Sequence, residues 1–155
     1  ATRMKVTVLT MDPGLRTGLA LYTIGNPASF ESYILDPDDT IRFLLDQGRI
    51  IRRDADDGHI VVEKFTVSQR TARSGADALN WPWELTGVAR AAALVNGLNF
   101  DTTQDPDAAK RFATDDRLKE RGLYTGGTED HARDASRHLL LWLARRRLLP
   151  PLAAL

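Results

Sequence analysis

Residues 5–11 (KVTVLTM) alternate apolar and polar positions and are rich in β-branched side chains, which predicts a strand. Asp12-Pro13-Gly14 breaks it, because Pro fixes φ and Gly permits positive φ. A second strand is predicted over 18–23 (GLALYT), a turn at Gly25-Asn26-Pro27, and a third strand over 29–35 (SFESYIL). The connections are short, so these three strands should form an antiparallel meander. Asp36-Pro37 then reads as a helix start, with Asp as N-cap and Pro in the first turn, followed by an apolar stripe at Ile41, Leu44 and Leu45. Gly48 either ends this helix or weakens it, with Ile51 able to continue the stripe.

Asp56-Asp57-Gly58 predicts a turn, and 59–64 (HIVVEK) a strand whose continuous apolar centre places it inside the sheet. Residues 66–75 (TVSQRTARSG) are polar and basic, hence a loop. Residues 76–96 read as helical, with Pro82 of Trp81-Pro82-Trp83 marking where the main helix begins. A short fifth strand fits 97–100, and Asp105-Pro106 opens another helix. After a loop over 122–127, Thr128 can cap a last helix bearing Leu139, Leu140, Leu143 and Leu148, stopped by Pro150-Pro151. The order β-β-β-α-β-α-β-α-α implies an α/β fold: a mixed sheet covered by helices.

The 155 residues fit a single domain spanning 1–155. Apolar residues at 43% and charged residues at 27% are those of an ordinary soluble globular protein. No apolar run approaches the roughly 20 residues of a membrane span, and the start of the chain has no signal-peptide pattern. There is no cysteine, which excludes disulfides and thiolate metal sites and fits a cytoplasmic location. Twenty-one basic and 21 acidic side chains give a net charge of zero. That argues against a protein coating nucleic acid through bulk charge, yet it allows a basic rim around an acidic metal site. Basic residues do cluster, at Arg49/Arg52/Arg53, Arg70/Arg73, Lys110/Arg111, Arg117/Lys119/Arg121 and 145–147.

Asp12 follows the first strand, and Glu63 sits near the end of the fourth. A carboxylate at the end of a central apolar strand is unfavourable unless it is solvated or coordinates something. Strand-end crevices are where α/β sheets place ligands, and paired oxygen donors suit a hard cation such as Mg²⁺ or Mn²⁺. The last helix carries Glu129, Asp130, His131, Asp134 and His138; the 3- and 4-residue spacings put His131, Asp134 and His138 on one face. First-turn acids also serve simply as partners of the helix dipole. Glu129, Asp130 and His138 are not expected to touch metal, and His138 reads as a packing or hydrogen-bonding residue one turn beyond the site.

Residues 11–20 (MDPGLRTGLA), 60–65 (IVVEKF) and 131–135 (HARDA) together resemble the motifs of RuvC-type Holliday-junction resolvases, and the resemblance runs over about 4–147. It implies a ribonuclease H-like fold with three antiparallel strands and then two parallel ones, flanked by helices. It also implies a homodimeric endonuclease of DNA recombination and repair that cuts four-way DNA junctions with two Mg²⁺ ions, Mn²⁺ substituting. Asp12, Glu63, His131 and Asp134 would be the metal ligands, with Asp12 bridging the ions. Water would attack the phosphodiester and leave a 5′ phosphate. A lysine assisting at the phosphate would be Lys110 first, Lys119 second.

The chain departs from that pattern in places. Phe65 follows Glu63 closely but is offset from the family's wedge aromatic, and it could equally point into the core. The first loop is about one residue shorter than usual. The Arg70/Arg73 loop and Trp81-Pro82-Trp83 look particular to this chain, and Trp81 and Trp83 either pack in a core or dimer interface or stack on bases. Strict four-way selectivity is therefore open, with flaps, forks and other branched DNA as further substrates. The alternatives are a YqgF-type nuclease acting on RNA, a non-catalytic ribonuclease H-like scaffold, and a DNA-binding module without cleavage. The last is disfavoured by the neutral charge and the lack of a helix-turn-helix or zinc pattern.

Overall fold

The alternation of residues 5–11 becomes β1 (Val6–Asp12), which pairs antiparallel with β2 (Thr17–Ile24); β2 pairs antiparallel with β3 (Ser29–Leu35). The computed structural model describes residues 4–25, 27–65, 76–127 and 130–153, and of 76–79 the backbone alone. Helix α1 (Pro37–Asp54) then crosses over, so that β4 (Asp57–Val62) lies parallel to β1 on the side away from β2. Helix α2 (Ala76–Val95) makes the second crossover, to β5 (Asn99–Asp101), parallel to β4. The sheet order is β3-β2-β1-β4-β5, the mixed five-stranded arrangement anticipated from the sequence. Among the described residues three helices follow: α3 (Pro106–Phe112), α4 (Asp115–Glu120) and α5 (His131–Arg145).

The two-residue period of the strands divides the core between two faces. On one face Val6, Val8, Ala20, Tyr22 and Val61 pack with Leu139, Leu140, Trp142 and Leu143 of α5. On the other, Leu9, Met11, Leu19, Ile60 and Val62 pack with Leu44 and Ile51 of α1 and Leu85, Ala89, Ala92 and Ala93 of α2. The same parity sends Thr10 toward α5, where its hydroxyl donates to the Ala135 carbonyl at 2.7 Å.

Local signals account for most boundaries. Asp36 caps α1 by accepting from the Asp39 N–H at 2.8 Å, and Pro37 occupies the first turn. Gly48 does not end α1: the helix runs on to Asp54, and a Cβ at Gly48 would lie 2.8 Å from Asn96 Nδ2, so this glycine allows α2 to approach. Pro82 does not begin α2 either. The helix starts at Ala76 and holds a buried Pro82 inside it, giving up one backbone N–H while the Thr86 hydroxyl donates to the Pro82 carbonyl at 2.6 Å. The turn expected at Asp56-Asp57-Gly58 is shorter than its residues suggested, since Asp57 and Gly58 already pair with Val6 and Thr7. The single helix expected after Asp105 is two, broken at Ala113 and restarted where the Thr114 hydroxyl caps the Arg117 N–H. The last helix ends at Arg145 with Arg147 at φ 57°, before the two prolines are reached. Thr128, the expected cap of that helix, lies outside the described residues, as do Glu129 and the loop bearing Arg70 and Arg73. No described helix is long and apolar enough to cross a membrane.

Candidate active site

Asp12 is the last residue of β1 and has the parity of Val6, Val8 and Thr10, so its side chain faces α5. Glu63 follows the last residue of β4 and continues the ladder, its N–H donating to the Met11 carbonyl at 2.9 Å. It shares the parity of Val61, and therefore faces α5 too. Two neighbouring parallel strands thus end in carboxylates on the same face.

Helix α5 begins directly over them. Gly18 stands opposite Asp12 in the β1–β2 register, and a Cβ there would lie 1.9 Å from the His131 carbonyl oxygen. The first turn of α5 therefore rests on the bare backbone of Gly18. The loop before it is closed by Thr17, whose hydroxyl donates to the Gly14 carbonyl at 3.0 Å. The close approach sets His131 Nδ1 3.5 Å from Asp12 Oδ2. One turn on, Asp134 is near enough to act on the Asp12 charge, and a turn further His138 Nε2 lies 3.0 Å from Glu63 Oε2.

The electrostatics follow from this crowding. Asp12 is pushed up from 3.8 to about 8, first by burial, then by the charges of Glu63 and Asp134 and a hydrogen bond with Glu63; the Lys110 ammonium pulls it back. Burial and the neighbouring acids thus make the Asp12 carboxyl hold its proton far more tightly than an exposed carboxyl does. Cationic groups border it. Arg137 donates to the Ala113 carbonyl and to Asp115, both at 2.6 Å, while its Nε lies 3.6 Å from Asp134 Oδ1. Arg133 is ion-paired with Asp130 and donates to the Gly127 carbonyl at 3.0 Å. Lys110, Arg133 and Arg137 line an open polar groove with Thr114, Asp115, Asp130 and Asp134.

Three carboxylates and an imidazole, with no thiol, are the donors a hard divalent cation takes, and a buried carboxyl that holds a proton against its acidic neighbours would release it to such a cation. The donor set therefore fits a divalent metal. Among the described residues no three of these side chains stand close enough together to hold a metal ion.

Lys110, the first lysine candidate, lines the groove beside Asp134. Lys119 instead lies over the Tyr124 ring, its Nζ 4.6 Å from the centroid. Phe65 meets Trp83 edge-on with ring centroids 5.2 Å apart; Trp83 is 54% exposed and Trp81 half-buried. Sequence reasoning passed over Gln104, Arg133 and Arg137. Arg133 and Arg137 lie four apart along α5, the spacing of Asp134 and His138, and that is the signal in the sequence; nothing there marks Gln104.

No family model matches the chain, and no curated protein matches it. Among solved structures the chain is similar to T. thermophilus RuvC in complex with Holliday junction substrate, with a TM-score of 0.55 and 15% sequence identity, over 94% of this chain and 99% of that one. It is similar also to a second Thermus thermophilus RuvC structure, with a TM-score of 0.50, 15% identity and the same coverage. The chain has the RuvC-type ribonuclease H-like fold over nearly its whole length.

Proposed function

We propose that this chain is a metal-dependent endonuclease that hydrolyses phosphodiester bonds in Holliday junctions and other branched DNA, in recombination and repair. One observation carries the reading. Asp12 and Glu63 leave the ends of adjacent parallel strands on one face, under the helix end that bears His131 and Asp134, in a chain with the RuvC fold. Asp12, Glu63, His131 and Asp134 would hold two Mg²⁺ or Mn²⁺ ions. The chemistry such ions supply is acidification of the attacking water and charge neutralisation at the leaving 3′ oxygen. The protein's own contribution is to present these donors from rigid elements. Lys110 would meet the phosphate, and Arg133 and Arg137, held by backbone carbonyls and acids, would provide fixed positive charge along the groove. Cutting two strands of one junction takes two such sites, which a homodimer would provide.

A non-catalytic scaffold is the second reading, favoured by the lack of three converged ligands among the described residues. The deciding experiment incubates the protein with a four-way junction, a flap, a fork, plain duplex and an RNA–DNA hybrid in Mg²⁺, Mn²⁺ or EDTA, beside Asp12→Asn. Metal-dependent cutting of branched DNA that Asp12→Asn abolishes is the expected outcome. No cutting, together with no Mn²⁺ stabilisation of the fold, would establish the scaffold, and cutting confined to RNA the YqgF-type alternative.

A further inference from the structure

His138 is 1% exposed, yet both of its ring nitrogens have polar partners. Nε2 lies 3.0 Å from Glu63 Oε2, and Nδ1 lies 3.2 Å from Gln104 Nε2. The Gln104 amide also donates to the His138 carbonyl at 3.0 Å. That second bond fixes the amide's orientation, since the reverse flip would set Gln104 Oε1 against a carbonyl oxygen. The two amide protons are then accounted for, one on the His138 carbonyl and one on Nδ1. An Nδ1 that accepts carries no proton, so the neutral ring holds its proton on Nε2 and donates it to Glu63.

Gln104 is itself fixed at the same strand end, because its carbonyl accepts from the Lys64 N–H at 3.0 Å. Its side-chain Oε1 is buried without a partner. A core under no other demand would place an apolar residue there rather than leave that oxygen unsatisfied.

We propose that Gln104 and His138 form a buried strut that locks the Nε2–H tautomer of His138 and holds the Glu63 carboxylate by one oxygen, making His138 a positioning residue for Glu63 and not a metal ligand. With its proton on Nε2, the ring has no lone pair to offer on the side of the site. Glu63 keeps Oε1 for a cation while Oε2 is held from α5. The strut ties three elements together at one carboxylate: the end of β4, the segment after β5, and α5. The role given to Glu63 rests on the nuclease reading above; the tautomer does not.

The test uses the full chain labelled with ¹⁵N-histidine. Long-range ¹H–¹⁵N correlation spectra read the tautomer of His138, and calorimetry with Mn²⁺ alone reads metal affinity. His138→Leu, His138→Gln and Gln104→Leu are compared with wild type, each checked for folding by thermal melting. The expected result is a protonated Nε2 and a bare Nδ1 in wild type. Mn²⁺ affinity should fall by about 10- to 100-fold in His138→Leu and Gln104→Leu. It should stay near wild type in His138→Gln, whose amide can reach Glu63. A proton on Nδ1 would overturn the strut, and unchanged affinity in a folded His138→Leu would overturn the positioning role. Wild-type protein that binds no Mn²⁺ overturns the metal-site reading beneath it, while the tautomer still decides the strut.

Discussion

Replacing Asp12 by Asn keeps the shape of the side chain and removes the group whose ionisation the folded site resists most. The Asp12 carboxyl is 15% exposed and is pushed up from 3.8 to about 8, chiefly by burial and by Glu63 and Asp134. Above about pH 4 the unfolded chain releases this proton while the folded chain keeps it, so metal-free stability falls as pH rises from about 4 to about 8. At pH 7 the gap spans about 3 pH units, each worth about 1.4 kcal/mol, which sets a ceiling of roughly 4 kcal/mol. Water entry and side-chain rotation lower this toward about 2 kcal/mol. In EDTA at pH 7, Asp12→Asn should therefore melt roughly 5–15 °C above wild type, the gap closing near pH 4. Mn²⁺ should reverse the order, stabilising wild type more at pH 8 than at pH 5 and the variant hardly at all. The assay is a thermal melt series across pH, with and without Mn²⁺. A variant no more stable than wild type at pH 7 in EDTA, or a gap that ignores pH, would refute the electrostatic account of the cluster.

Gly18→Ala sets a methyl group 1.9 Å from the His131 carbonyl oxygen, so α5 must shift; urea denaturation should show a loss of at least about 2 kcal/mol, with weaker Mn²⁺ binding. Unchanged stability would mean that α5 does not rest on β2 there. Lys110→Ala should lower kcat on a four-way junction by on the order of 10-fold or more while Mn²⁺ affinity holds, and Lys119→Ala should leave both alone, because Lys119 lies over Tyr124. Equal losses from the two would displace Lys110 from the phosphate. Trp83, 54% exposed and edge-on to Phe65, should weaken branched-DNA binding by about 1–3 kcal/mol when changed to Ala if it stacks on bases; unaltered affinity assigns it to packing.

Periodicity and punctuation were enough to read the strands, the crossover helices and the strand ends that carry the two acids. An apolar β1 ending in Asp12 and an apolar β4 running into Glu63 already implied two carboxylates at central strand ends. These signals are local: a strand's two-residue period, an Asp-Pro helix start and a turn glycine all act within a few residues. Pro82 inside α2 departs from its reading as a helix start, and Gly48 inside α1 left two outcomes open, for the same reason: their local preference is to interrupt, and only neighbouring packing overrides it.

What converges on the site is not local. His131 meets Asp12 across 119 positions, His138 meets Glu63 across 75, and Gln104 meets His138 across 34. Gly18 reads in sequence as an ordinary strand residue; its reason is the backbone of α5 lying on it. The amino-acid order alone determined which faces are apolar and which strand ends carry acids, because those depend on each segment's own periodicity. Tertiary structure decided which acid meets which imidazole, which lysine borders them and which proton is shared, because burial and charge act between groups that only the folded sheet and α5 bring within reach.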